Sequence, residues 1–247
     1  MDILPTAVMM GFAGLTGATV CSFGATAAIR MAAGEQPWSG RSRCDGCSRT
    51  LGWSETVPFA GFVLAQGRCR SCGHSIDRFH LLGEGAGAIA AMLSLAMAPD
   101  AKGVVIALLA LVLTVQSLID LRTLRLPDIG NLLVAGLCLG LAVMSDTLVE
   151  GVIAALTAAT LLLGIKAILE RGKGRTLLGL GDVKLVAALA LVLGQWTAAM
   201  VAVASLLALG AMLLLRKGSQ DKLPFGPAIA IAGFAFVLGL AVLERQG

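Results

Sequence analysis

Long apolar runs separated by short polar breaks dominate the chain, and they predict membrane-crossing helices rather than alternating strands. The runs cover roughly residues 4–29, 80–98, 101–120, 129–145, 148–169, 183–215 and 224–243. Most approach the ~20 residues a helix needs to cross a hydrocarbon core of about 30 Å. The run 183–215 is too long for one crossing, since at ~1.5 Å per residue it would extend about 50 Å. A break near Gly194-Gln195-Trp196 would turn it into two short crossings, with Trp196 as an interfacial anchor.

The polar breaks orient these runs. Basic residues collect after the first run (Arg41, Arg43, Arg49, Arg68, Arg70, Arg78), at Arg122/Arg125, at Arg171/Lys173/Arg175 and at Arg216/Lys217/Lys222. The alternate loops hold only Asp100 with Lys102, or Asp146 with Glu150. Basic loops stay on the cytoplasmic side, so both ends of 183–215 face the cytoplasm and the run is expected to be a hairpin. The N-terminus, MDILPTAV, lacks a basic n-region, so the first run reads as a retained helix rather than a cleaved signal. No sequence repeat at a fixed period is visible.

Composition sharpens the class without changing it. Of 247 residues, 57% are hydrophobic and 14% charged, where a soluble domain would carry roughly 25% charge. The 31 glycines lie mostly inside apolar runs, where close helix packing in lipid accommodates them. The net charge of +4 belongs to the loops. A lipid bilayer is the expected environment, and no nucleic-acid partner is expected.

The first basic loop contains Cys44-x-x-Cys47 and Cys69-x-x-Cys72. Two such pairs offer four thiolates to one tetrahedral ion, the signature of a structural Zn²⁺ site with no open position for water. Two disulfides are the alternative, and a cytoplasmic setting argues against them. His74 is available as a substitute ligand but is not needed. Cys21 and Cys138 fall in apolar runs and read as ordinary buried residues. The expected fold is therefore an all-α polytopic membrane protein with about eight transmembrane helices and a small cytoplasmic zinc-knuckle loop domain. Its expected division is a first transmembrane helix over 1–30, a cytoplasmic zinc-binding loop domain over 31–79 and a seven-helix membrane core over 80–247.

Acidic residues in membrane segments are costly and read as functional. Asp120 closes one apolar run, and Asp182 opens another within Gly179-Leu-Gly181-Asp-Val-Lys184. The loop charges put both at the same membrane face. Two carboxylates sharing a water can hydrolyse a peptide bond: one takes a proton from the water while the other donates to the scissile carbonyl. The glycines beside Asp182 would free the backbone to turn and admit a substrate strand. Simpler readings stand beside this one. Asp182 also reads as a helix N-cap after a glycine turn, and Asp120 as a solvated helix-end residue facing Arg122 and Arg125.

Together these residues resemble the bacterial type IV prepilin peptidase family. The resemblance runs from the helix ending near Arg30 through the double CxxC loop, Glu84, Asp120 and Leu126-Pro-Asp128. It continues through Gly179-Leu-Gly-Asp182-Val-Lys184, which matches a GxGD peptidase motif, to Pro224-Phe-Gly-Pro227. It implies an aspartyl endopeptidase of the bacterial inner membrane, with Asp120 and Asp182 as the catalytic pair. Such an enzyme removes the basic leader of type IV prepilins or type II secretion pseudopilins after a glycine. The resemblance also implies N-methylation of the new terminus from S-adenosylmethionine, with no donor-binding residues identifiable. Asp128 matches a non-catalytic acid and suits the start of the next helix. Lys184 matches the lysine of the motif; two positions from Asp182 it would not face it along a helix. Glu84 would either tune the site or favour a helix N-terminus. One departure bears on methyl transfer rather than cleavage: Cys21-Ser-Phe-Gly-Ala25 stands where the family has Gly-Ser-Phe-x-Asn. A small transporter using the two aspartates as an ion relay, and an inactive scaffold for secretion machinery, are the competing classes.

Overall fold

The computed structural model describes residues 3–38, 40–173, 178–215 and 223–246. The basic positions Arg175, Arg216, Lys217 and Lys222 lie outside them. The described chain is helical: α1 (Ile3–Ala32), two short helices α2 (Trp53–Thr56) and α3 (Ala60–Leu64), then α4 (Phe79–Met97), α5 (Ala101–Thr123), α6 (Asp128–Met144) and α7 (Leu148–Lys173). α8 (Leu180–Leu193), a 3₁₀ turn (Gly194–Trp196), α9 (Thr197–Leu214) and α10 (Gly226–Gln246) complete it.

Local chemistry sets the boundaries. Asp100 accepts a hydrogen bond from the Gly103 N–H at 2.9 Å and so caps α5. α5 ends on Leu124 in the left-handed region (φ 53°), and Pro127 precedes α6. Gly194 at φ 51° ends α8 where the sequence suggested a break.

Six apolar runs among the described residues are long enough to cross a membrane, with 180–214 taken as one and α6 falling just short. α7 shows the solvent relation expected in lipid: Val149, Ile153, Leu156, Leu161 and Ile168 all point outward. Apolar side chains facing outward around a packed interior are the arrangement of a multi-pass membrane protein.

Small residues bring the helices together. A Cβ at Gly17 of α1 would overlap the Gly87 carbonyl of α4, and one at Gly87 would overlap the Gly17 carbonyl. Cys21, fully buried, fills the same contact. A second core joins α5, α6, α8, α9 and α10 through Leu109, Leu113, Val134, Leu189, Met200 and Ile229. Cys138 is buried there as an apolar residue. This second core carries the two aspartates at one of its ends.

Candidate active site and metal centre

Asp120 occupies the last turn of α5 and is only 5% exposed. Its Oδ2 accepts the N–H of Gly226, the first residue of α10, at 2.9 Å. The N-terminal end of α10, with its unpaired N–H groups and positive dipole end, thus meets the carboxylate. A Cβ at Gly226 would stand 2.8 Å from that oxygen and 3.0 Å from Leu126. Arg122 does not serve Asp120: it pairs with Asp77 and stacks over Phe79. The reading of Asp120 as a solvated helix-end residue therefore fails.

Asp182 is the third residue of α8, whose N-cap is Gly179, so it is not itself the cap. A Cβ at Gly179 would come within 2.8 Å of its Oδ2, and one at Gly181 within 2.9 Å of the Leu126 Cβ. Leu126 therefore packs between the two glycine turns, which explains the value of small residues there. Asp182 and Asp120 are close enough to interact electrostatically. α6 and α10, which pack against both α5 and α8, bridge between them.

Two residues the sequence reading passed over complete this geometry. Gln116 lies one turn before Asp120 on the same face of α5 and is 2% exposed. Its Nε2 donates to Asn131 Oδ1 of α6 at 3.0 Å, and Asn131 Nδ2 donates to the Gly181 carbonyl at 3.4 Å. A polar chain therefore links the Asp120 helix to the backbone immediately before Asp182. Buried polar side chains in apolar helices were the available signal.

Lys184 Nζ pairs with Asp128 Oδ1 at 2.6 Å, tying α8 to the first turn of α6 in an exposed position. Glu84 is not in the first turn of α4. Its carboxylate accepts from the Ser22 hydroxyl (2.7 Å) and the Phe59 N–H (2.8 Å), fastening the α2–α3 loop to α1 and α4. Those bonds reach neither aspartate. Ala25, at the position of the departure, is fully buried and packs towards Gly83.

The four loop cysteines converge. Their sulfurs lie within 4.8 Å of one another, with Cys44 and Cys72 at 3.7 Å, and all are free thiols. Four sulfurs at ~2.3 Å from a tetrahedral ion would be about 3.8 Å apart, so the set fits one metal ion. The sequence repeat that was not apparent exists in the fold as two matching knuckles. Cys44 N–H bonds the Arg49 carbonyl (2.9 Å) as Cys69 N–H bonds the His74 carbonyl (2.8 Å). Gly46 N–H points at Cys44 Sγ (3.4 Å) as Ser71 N–H points at Cys69 Sγ (3.5 Å). Ser48 (φ 56°) and Gly73 (φ 72°) close the two turns in the same left-handed conformation. His74 is outside the sulfur cluster, its ring packed on Gly46.

The electrostatics set two of these thiols apart. The Cys72 and Ser71 N–H groups draw the Cys69 thiol down to about 6. The His74 N–H draws Cys72 down, but desolvation and the neighbouring sulfurs leave it at about 11. Arg49 of the first knuckle makes a two-pronged pair with Glu55 (2.7 and 3.1 Å), and this holds the Glu55 carboxyl at about 2. The nearby Arg49 guanidinium of the first knuckle adds a smaller downward pull on the Cys69 thiol of the second.

Residues 15–98 match the bacterial peptidase A24 N-terminal domain, and residues 107–215 match the type IV leader peptidase family. A prepilin leader peptidase/N-methyltransferase of Burkholderia pseudomallei (strain 1026b) is 33% identical over 79% of this chain, which spans 66% of that relative's length. One of the same description from Aeromonas hydrophila is 33% identical over 80% of this chain and 71% of its own. A Bacillus subtilis (strain 168) relative, also so described, is 28% identical over 96% of this chain and 97% of its own. No solved structure matches. With one family motif built around Asp182 and the other domain built on the paired knuckles, the chain belongs to the type IV leader peptidase family.

Proposed function

We propose that this protein is a membrane aspartyl endopeptidase that removes the basic leader of type IV prepilins or pseudopilins after glycine and then N-methylates the new terminus. One observation carries the peptidase reading: Asp120 and Asp182, from different helices, stand within electrostatic reach at helix ends where glycine replaces side-chain bulk. In this reading one carboxylate takes a proton from water and the other donates to the scissile carbonyl. Gly179 and Gly181 leave room for the substrate strand, and Lys184, through Asp128, holds α8 against α6.

The rest of the reading follows the same frame. The run 180–214 crosses twice about Gly194, giving eight crossings. The chain divides into a first helix (1–30), a zinc-binding loop domain (31–79) and a seven-helix peptidase core (80–247). The basic loop faces the cytoplasm at the inner membrane, and Cys44, Cys47, Cys69 and Cys72 hold a structural Zn²⁺ ion. S-adenosylmethionine supplies the methyl group. A transporter would want its acidic residues near the bilayer midplane; the last turn of α5 and the first of α8 are poor places for that.

The test mixes purified protein with a pilin-like precursor and compares wild type with Asp120→Asn and Asp182→Asn. Loss of a general acid or base costs about 10²–10⁴-fold, so cleavage should fall at least a hundredfold in each. Wild-type cleavage in either variant overturns the pair.

A further inference from the structure

A cavity of about 640 Å³ lies between α1, the start of α4 and the knuckle loop, separate from the aspartates. Small-molecule sites occupy roughly 300–1,000 Å³, so it has the volume of a nucleoside-sized ligand. Thr19, Ser22 and Thr26 of α1 line one side, with Phe62 and Ile76 of the loop opposite and Glu84 of α4 in the wall.

Glu84 is the unusual group in that wall. It is 7% exposed, yet its two oxygens are held by neutral donors, the Ser22 hydroxyl and the Phe59 N–H. Among the described residues no lysine or arginine pairs with it. Arg30, Arg43, Arg68 and His80 also line the cavity, and His80 is near enough to act on Glu84 electrostatically, but none of them forms an ion pair with it. A buried carboxylate held only by neutral donors is costly, and a cation placed against it would lower that cost. Phe59 makes its bond to Glu84 from φ 58°, ψ −50°, a conformation L-residues rarely adopt, so the carboxylate is held by a locally strained backbone.

We infer that this cavity binds the methyl donor, a sulfonium-bearing nucleoside, with the Glu84 carboxylate facing the sulfonium. The assignment rests on the methyltransferase part of the proposed function and gives it a place, on the knuckle side of the molecule and away from Asp120 and Asp182. Two cations could meet Glu84, the donor's sulfonium and the amine of the processed substrate. Comparing the donor with its demethylated product, a neutral thioether otherwise identical, isolates the first.

The experiment titrates the purified full-length protein, in detergent and without pilin, with S-adenosylmethionine and with S-adenosylhomocysteine, reading Kd calorimetrically. Glu84→Gln keeps the side chain's size and removes its charge; it should weaken the sulfonium ligand at least tenfold and the thioether less than threefold. Thr26→Phe narrows the cavity while leaving the Glu84 carboxylate chemically unchanged and should weaken both ligands at least tenfold. Metal content equal to wild type shows that each variant has folded. Equal weakening of both ligands by Glu84→Gln, unchanged binding in Thr26→Phe, or no donor binding by wild type overturns the assignment. Mass analysis of processed substrate separates the two readings. If wild type adds a methyl group while both variants bind the donor normally, the location alone is wrong. If wild type adds none, the methyltransferase reading itself fails.

Discussion

Replacing Asn131 by leucine removes both links of the chain between α5 and α8 while keeping nearly the same volume. The Gln116 amide, 2% exposed, loses its acceptor at 3.0 Å, and the Gly181 carbonyl loses a longer bond at 3.4 Å. Hydrogen bonds between membrane helices contribute about 0.6–2 kcal/mol, and an orphaned buried donor costs about 1–3 kcal/mol. The leucine recovers part of this through packing, so the expected net destabilisation is about 1–2 kcal/mol, read by thermal unfolding in detergent. The effect on cleavage should be larger than that figure implies. Freeing the backbone just before Asp182 lets the carboxylate drift, and a displacement of about 1 Å can cost ~10²-fold in rate. The double variant Gln116→Leu/Asn131→Leu separates the two effects. With both polar partners gone no donor is orphaned, so stability should return close to wild type. The Gly181 carbonyl is still released, so kcat should stay low. Recovery of kcat together with stability, or an unchanged kcat in Asn131→Leu, would refute the positioning argument.

Two further outcomes test neighbouring features. Gly226→Ala drives a Cβ to 2.8 Å from Asp120 Oδ2, so cleavage should drop at least tenfold while the purified protein stays folded and monodisperse; wild-type kcat would show that α10 does not bear on the carboxylate. Cys44→Ser/Cys69→Ser takes one sulfur from each knuckle, and elemental analysis should find the bound metal lost; undiminished stoichiometry would refute the four-sulfur site.

Much of the helical framework is legible from the chain, because a bilayer-length apolar run between polar breaks has few alternatives to a helix. The break at Gly194 was readable for the same reason: the run outlasts a bilayer and contains a residue that tolerates φ 51°. Loop charge alone suffices to put Asp120 and Asp182 at one end. What they do there remains the proposal above. The partnerships between helices were not legible. Lys184 finds Asp128 at a separation of 56 residues, and Asn131 finds Gly181 at 50. Such pairs depend on how each helix is rotated about its axis. A helix apolar on all sides carries no stripe to fix that rotation; small residues and close shape do so instead, and neither leaves a period in the sequence. The role of Gly226 was hidden similarly, since a backbone N–H leaves no trace in residue type.

The close crossing of α1 and α4 at Gly17 and Gly87 has a consequence for the metal loop. It anchors the two helices from which that loop springs, so the ends of the segment between Ala32 and Phe79 are gathered before any metal arrives. Drawing together a free segment of about 46 residues costs roughly 3 kcal/mol of closure entropy. Helix association in the bilayer bears that cost first. The knuckles then fold as a short excursion from a fixed base, and under the proposed zinc reading a chelator should unravel them without parting α1 from α4.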